Sequence, residues 1–331
     1  MLVRLASGWR MFVDVDGEGL AIEGSNLVPR TTLLLVHGSE VDHSFFKPWV
    51  APLARHAQLV YVDLIGHGRS DAGGATDWSP EVWAGSLDEL CDSIGITNPV
   101  VLGSSMGGRL AMLLALRSPN LVRGLLLVNT VGRPRPDRRI EMFRRLGGDE
   151  AAEAARRDIE AHSPETKDTY FRLCMPLMTQ RPYSSDELAR LTPPAPGVFD
   201  RLVELSHEST DLLPAVGAIG CPTLVITGEY DPAATPEDAV DLRGGHRPQR
   251  PLARRAGCRP WGLPRQSRRL PTSSQRVPQR TRGADRPPLV APLPAGGVGH
   301  TSDSQHACPL TGRVSQGLHQ PRRRSCRCRP D

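Results

Sequence analysis

Residues 99–118 constrain the fold of this chain more than any other stretch. Pro99-Val100-Val101-Leu102 is a short apolar run that reads as a buried strand. Further on, Leu110, Met112, Leu113, Leu114 and Leu116 stand among small residues, the pattern of a buried helix. Between the two lies Gly103-Ser104-Ser105-Met106-Gly107, a G-x-S-x-G motif. A serine on so sharp a strand-to-helix turn takes a strained backbone conformation, and the flanking glycines let neighbouring chains pass closely. Its Oγ is then exposed at the carboxyl edge of a sheet, where the following helix aims its N–H groups and positive dipole end. Ser105 is therefore the expected nucleophile of an acyl transfer. The five residues alone also fit a Gly/Ser-rich turn that binds a phosphate or nothing. The strand before and the helix after favour the nucleophile.

A chain of 331 residues holds one large α/β domain or two smaller ones. Its formal charge of +5 hides two unlike parts. Residues 244–331 carry 18 Arg, no Lys and 3 Asp, a net of +15 over 88 residues; the first 243 carry 23 basic and 33 acidic residues, a net of −10. The tail also holds 13 Pro and no Ile, Phe, Tyr, Met, Lys, Glu or Asn. Cys91, Cys174 and Cys221 lie in the body without C-x-x-C spacing, and Cys258, Cys308, Cys326 and Cys328 lie in the tail. Reduced thiols, no apolar N-terminal run and no stretch of membrane length predict a cytoplasmic protein without a membrane partner.

Taken in order, Met11-Phe12-Val13-Asp14-Val15 alternates and leads through Asp16-Gly17-Glu18-Gly19 to a second short strand at 20–22, a hairpin-like antiparallel edge. Residues 31–36 form a continuous apolar strand ending in His37-Gly38-Ser39. The glycine lets the loop turn back, so Ser39 N–H and Met106 N–H make the expected oxyanion hole, and His37 braces the loop. A helix over 42–56 and a strand over 59–62 follow. Then comes Asp63-Leu64-Ile65-Gly66-His67-Gly68-Arg69-Ser70, a tight loop that Arg69 and Ser70 tie down and in which His67 has a loop role. Ser79 and Pro80 open a helix to about Ile94. The strand over 122–128 ends at Asn129, which supplies no carboxylate. From 133 to 217 the strand–helix alternation stops, with helical stretches near 137–145, 149–161 and 196–209, and this segment reads as a lid. The strand over 221–227 ends in Gly228-Glu229-Tyr230-Asp231-Pro232. Asp231 is the candidate acid that orients a catalytic histidine; the other reading makes it a turn or helix cap before Pro232. A helix runs from Thr235-Pro236 to about 243. The chain thus divides into a core at 1–132 and 218–243, a helical lid at 133–217 and an Arg/Pro-rich, irregular tail at 244–331. The fold class is α/β, a mostly parallel central sheet flanked by helices. Without a nucleotide loop or metal-ligand spacing, a small-molecule substrate and no cofactor are expected.

His37-Gly38, Asp63 to Ser70, the serine motif and Gly228 to Asp231, in this order, resemble the α/β-hydrolase fold family over roughly residues 10–243. The run from Asp42-His43-Ser44 through Gly68-Arg69-Ser70-Asp71 is most similar to the proline iminopeptidase branch. That branch usually shows a His-Gly-Gly-Pro-Gly loop where this chain has His37-Gly38-Ser39-Glu40-Val41. The resemblance implies a serine hydrolase of esters, lactones or amides, or an aminopeptidase in which Glu204 or Glu208 of the lid meets a substrate amine. It also implies a histidine on a loop after one further strand, followed by a last helix.

Neither that strand nor that helix is visible after Arg243. His246 comes 15 residues after Asp231, before a strand can cross the sheet, and His306 has no supporting context. His300, in Gly297-Val298-Gly299-His300, has the local pattern but lies 69 residues from Asp231. It is the candidate base. The tail's composition also fits translation in a shifted frame. A one-base shift with freely chosen wobble bases turns residues 257–270 into Ala-Ala-Gly-His-Gly-Ala-Cys-Arg-Ala-Asn-Pro-Asp-Ala-Phe, which puts a histidine about 30 residues beyond Asp231. On that reading the chain is an inactive hydrolase product lacking its histidine. A basic disordered tail would instead bind nucleic acid by counterion release. Almost no aromatic residues are there to stack on bases, so no nucleic-acid partner is expected.

Overall fold

The computed structural model describes residues 1–161, 163–180, 184–207, 211–245 and 252–255. All of them fall within the unit Met1–Arg269, and Leu270–Asp331 lies outside the described residues.

The chain opens with β1 (Leu2–Arg4) and β2 (Arg10–Asp16), paired antiparallel with Val3 against Met11. β3 (Leu20–Glu23) and β4 (Asn26–Pro29) make a separate two-stranded sheet. This corrects the hairpin expected over 11–22, because β2 and β3 do not pair. Both edges of β2 are taken inside the main sheet, and Leu20, Ile22 and Leu27 of the separate pair stay exposed.

Apolar runs buried on both faces then build the centre: β5 (Thr32–Val36), β6 (Gln58–Val62), β7 (Val100–Ser104), β8 (Gly124–Val128) and β9 (Thr223–Gly228). With β10 (Leu252–Arg255), the eight strands order as β1-β2-β6-β5-β7-β8-β9-β10, and every pair from β6 to β10 is parallel. Alternation sorts side chains into two layers. Leu34, Val36, Val60, Val62, Val101, Leu125 and Leu127 join the main core, and Leu33, Leu35, Leu59, Tyr61 and Leu102 join Phe46 and Val50 in a second.

The helix expected over 42–56 is broken into α1 (Lys47–Val50) between two 3₁₀ turns, His43–Phe46 and Ala51–Arg55. Pro48 and Pro52 each remove an N–H that a continuous helix needs, so each can only open a new turn. α2 (Pro80–Ile94) begins as expected, with Val82 N–H donating to Ser79 Oγ at 3.2 Å, and ends at left-handed Gly95. α3 (Met106–Arg117) follows the serine turn.

Between β8 and β9 come α4 (Pro136–Ala161), which kinks at Gly148, α5 (Pro164–Leu173), α6 (Ser185–Arg190), α7 (Val198–His207) and α8 (Leu213–Val216). The kink separates the two helical stretches read at 137–145 and 149–161. α5 carries a Ser163/Thr166 capping box that the sequence reading missed. α4 and α5 hold a small core of their own, with Phe143, Ala151, Ala155 and Tyr170. α9 (Pro236–Gly245) follows β9.

The sequence reading expects irregular chain from residue 244. Within that stretch the structure describes one short strand, β10, where Leu252 pairs with Val225. The outer edge of β9 offers main-chain groups that any residue can bond, without a β-branched run. Among the described residues no helix is long and apolar enough to cross a membrane. Among the described residues Cys91, Cys174 and Cys221 form no disulfide.

α3 leaves β7 so tightly that backbones touch. A Cβ on Gly107 would lie 2.1 Å from Val36 O and 2.5 Å from His37 O, and one on Gly103 would lie 2.2 Å from Gly107 O. Gly107→Ala must push α3 off β5, and the expected loss is on the order of 3 kcal/mol or more in urea unfolding. Gly220→Ala, with open space around it, should cost under ~1 kcal/mol. Equal losses at the two positions would show that the crossing is not tight.

Candidate active site

Ser105 sits between β7 and α3 with φ 54° and ψ −119°. Among the described residues only Asn98, Ser105 and Asn129 take positive φ without being glycine. Asparagine tolerates that region, whereas serine is strained in it. Three hydrogen bonds impose the conformation. Ser105 N–H donates to Val128 O (3.0 Å), and Ser105 O accepts from Gly108 N–H (3.0 Å) and Thr130 Oγ1 (2.6 Å).

The loop after β5 passes directly beside Ser105, since Val36 pairs with Gly103 and a Cβ on Gly38 would lie 3.4 Å from Ser105 Cβ. Ser39 is the next residue, and Met106 opens α3, so both expected oxyanion donors flank the serine in the chain path.

His37 is fully buried and spends both ring nitrogens on backbone. Nε2 accepts from Leu64 N–H at 3.1 Å, which leaves Nδ1–H to donate to Gly38 O at 2.7 Å. Burial, with His67 nearby, pushes its pKa down to about 4, so the ring is neutral and braces the loop, as read. His67 Nε2–H donates to Ser39 O at 2.9 Å, and burial lowers its pKa as well.

Beneath this loop Asp63 gathers donors. Oδ1 accepts from His43 N–H and Nδ1–H, both at 2.8 Å, and Oδ2 accepts from Arg69 N–H at 2.9 Å. Ser70 Oγ donates to Asp63 O at 2.6 Å and accepts from Phe12 N–H. Burial opposes ionisation of Asp63, but the bonds from His43 and Arg69 hold its pKa below the usual carboxylate range. Asp42 accepts from Ser44 N–H and Thr192 N–H, both at 2.9 Å. Asp42, His43 and Asp63 bring ligand atoms within 4.8 Å of one another, as a metal site would. Their oxygens already serve N–H groups of three loops, which makes the set a clamp. The sequence reading placed His43 in a helix and missed the clamp.

Asp231 lies just after β9, at the same sheet edge as Ser105 and across β8 from it. It is completely buried, and Oδ1 accepts from Ala233 N–H (2.8 Å) and Ala234 N–H (2.9 Å). Oδ2 is buried and has no hydrogen-bond partner among the described residues. Burial pushes the carboxyl up to about 7, against the pull of the two N–H groups. One oxygen therefore caps the turn. His300, His246, His306 and Glu208 lie outside the described residues. Glu204 is exposed and pairs with Arg201 at 2.9 Å.

A family model for the alpha/beta hydrolase fold matches residues 31–259, past the point near 243 where the motif resemblance stops. A 2-hydroxy-6-oxo-2,4-heptadienoate hydrolase of Pseudomonas putida is 31% identical over 103 residues, covering 30% of this chain and 37% of that protein. An uncharacterized protein of Mycobacterium tuberculosis is 32% identical over 129 residues, covering 39% and 34%. The chain thus spans about a third of the length of the curated relatives it matches. A proline iminopeptidase structure from Mycobacterium smegmatis has a TM-score of 0.59 at 19% identity, covering 79% of this chain and 91% of that one. The enol-lactonase of Burkholderia xenovorans LB400 gives 0.53 at 21% identity, covering 79% and 93%. Both likenesses are of fold.

Asp231 carries a pH dependence with a definite sign. Its folded pKa lies above the ordinary value of 3.8, so the folded state keeps a proton that the unfolded state releases. Stability from this group is full below pH 3.8 and falls as pH rises toward about 7. Relative to Asp231→Asn, the parent should lose on the order of 4 kcal/mol across that window in denaturant melts. A difference independent of pH would mean that Oδ2 has a partner in solution.

Proposed function

The chain belongs to the α/β-hydrolase fold family, and on that premise we propose that it is a serine hydrolase cleaving an ester, lactone or amide bond of a small molecule. The observation that carries this reading is the left-handed backbone of Ser105, pinned between β7, β8 and α3. Ser105 Oγ attacks the carbonyl carbon, and the carbonyl oxygen becomes an oxyanion held by Ser39 and Met106 N–H. An imidazole takes the Oγ proton and passes it to the leaving group; water then attacks the acyl-enzyme by the same route. Asp231 Oδ2, unspent among the described residues, is the acceptor for that imidazole. An ionised Asp231 holds the ring in the right tautomer and stabilises its charged form. The sequence candidate for the base, His300, lies outside the described residues. An aminopeptidase activity is less well supported, because Glu204 is exposed and already paired.

A second reading rests on the shifted-frame composition of the tail. In it the scaffold lacks its base and the chain is nearly inactive. Hydrolysis of p-nitrophenyl esters by the full chain, Ser105→Ala and His300→Ala separates these readings. With His300 as base, each variant should lose roughly 10³-fold or more in turnover. A loss in Ser105→Ala alone moves the base elsewhere in the chain. Only background turnover from the parent supports the base-less scaffold, and rapid turnover unchanged in Ser105→Ala rules out the serine mechanism.

A further inference from the structure

The cap helix α4 is laced with arginines, and nearly all of them find carboxylates. Arg138 pairs with Asp238 (2.6 Å) and Asp241 (2.7 Å), Arg144 and Arg145 with Glu141 (3.0 and 3.2 Å), and Arg156 and Arg157 with Glu153 (both 2.7 Å). Arg139 is the exception. Among the described residues it makes no salt bridge. Its Nη2 donates to Tyr170 Oη at 2.5 Å, and its guanidinium lies over the rings of Tyr170 (5.4 Å) and Phe143 (5.9 Å). Its Nε is buried without a hydrogen-bond partner.

The place of this group matters as much as its partners. Phe143 and Tyr170 belong to the cap cluster against which Ala233 packs, two residues beyond Asp231. Arg139 therefore stands where the cap meets the loop that carries the catalytic acid. Its charge is felt at Asp231, and it feels that of Glu40, the residue after Ser39. Arg139 is half-buried, and a guanidinium partly withdrawn from water without a contacting counter-charge is costly. The aromatic faces recover part of that cost and fix the planar group in one orientation. A fixed guanidinium with an unused donor, next to a phenol hydroxyl, suits a carboxylate.

We propose that Arg139 and the Tyr170 hydroxyl form a carboxylate-binding subsite, and that the substrate of Ser105 is an ester or lactone bearing a carboxylate away from the scissile bond. This rests on the serine-hydrolase reading for the reaction but not for the binding. Arg139 selects the substrate and takes no part in bond making.

The test uses the full chain with Ser105→Ala, which binds without turnover. Monomethyl succinate, glutarate and adipate are titrated calorimetrically beside their neutral dimethyl esters. At least one monoester should bind roughly 10-fold or more tighter than its diester, the range of a charge-assisted hydrogen-bonded pair. Arg139→Gln should erase that preference and leave diester affinity within about 2-fold. Tyr170→Phe, a gentler change, should reduce the preference without abolishing it. Equal affinity for the two series, no detectable monoester binding, or an equal fall of both in Arg139→Gln overturns the subsite. If Arg139→Gln fails to fold, the parent's preference and Tyr170→Phe still decide. An inert Ser105 in the esterase assay leaves this result untouched. An active Ser105 with no anion preference removes the subsite alone.

Discussion

The structure turns on the place where α3 passes β5. Gly107 lies against the carbonyls of Val36 and His37, and Gly103 against that of Gly107, with no room for a single extra carbon at either position. A helix that begins this close to the sheet cannot be reached by a relaxed turn. The chain must reverse within one residue, and that residue is Ser105. Its positive φ follows from the crossing and is locked by bonds to Val128, Gly108 and Thr130. Local strain of order 1–3 kcal/mol persists only where surrounding packing over-determines it. Here the packing is the buried face of α3, with Leu110 and Leu114 in the main core.

The second half of the site depends on the same edge. His37 and His67 are uncharged struts whose nitrogens serve backbone carbonyls and an N–H, and Asp63 ties the loop below them through His43, Arg69 and Ser70. These bonds fix where Ser39 stands relative to Ser105. Asp231 arrives independently, two strands away, because β9 is parallel to β7 and ends at the same edge. Its carboxyl is buried, with one oxygen bonded to the turn and the other without a partner among the described residues.

How much of this was legible in the sequence follows from how local each signal is. β5 to β9 are short apolar runs that period and length identify, and Ser79-Pro80 announces α2. His37 was read as a loop brace from the His-Gly that closes its strand, and both its ring nitrogens do bond to backbone. The missed features depend on contacts distant in sequence. β1 pairs across a turn with little apolar signal, and β3 finds β4 instead of β2. The Asp63 clamp joins residues 20 apart to His43, which a helical reading of 42–56 hid. β10 is held by an open edge, and its side chains give no strand pattern. Arg139 looked like one more charge on a solvated lid, since only the tertiary contact with Tyr170 sets it apart from Arg138.

The central claim is that the crossing forces Ser105 into a left-handed backbone and so presents its hydroxyl. Comparing Ser105→Gly with Ser105→Ala by denaturant unfolding tests it without relying on any base or substrate. Both lack the hydroxyl, but glycine occupies φ 54° freely and alanine does not. The account predicts that the glycine variant is the more stable by about 1 kcal/mol or more. A glycine variant less stable than alanine by the usual ~0.5–1 kcal/mol would contradict it, because the backbone at Ser105 would then be relaxed.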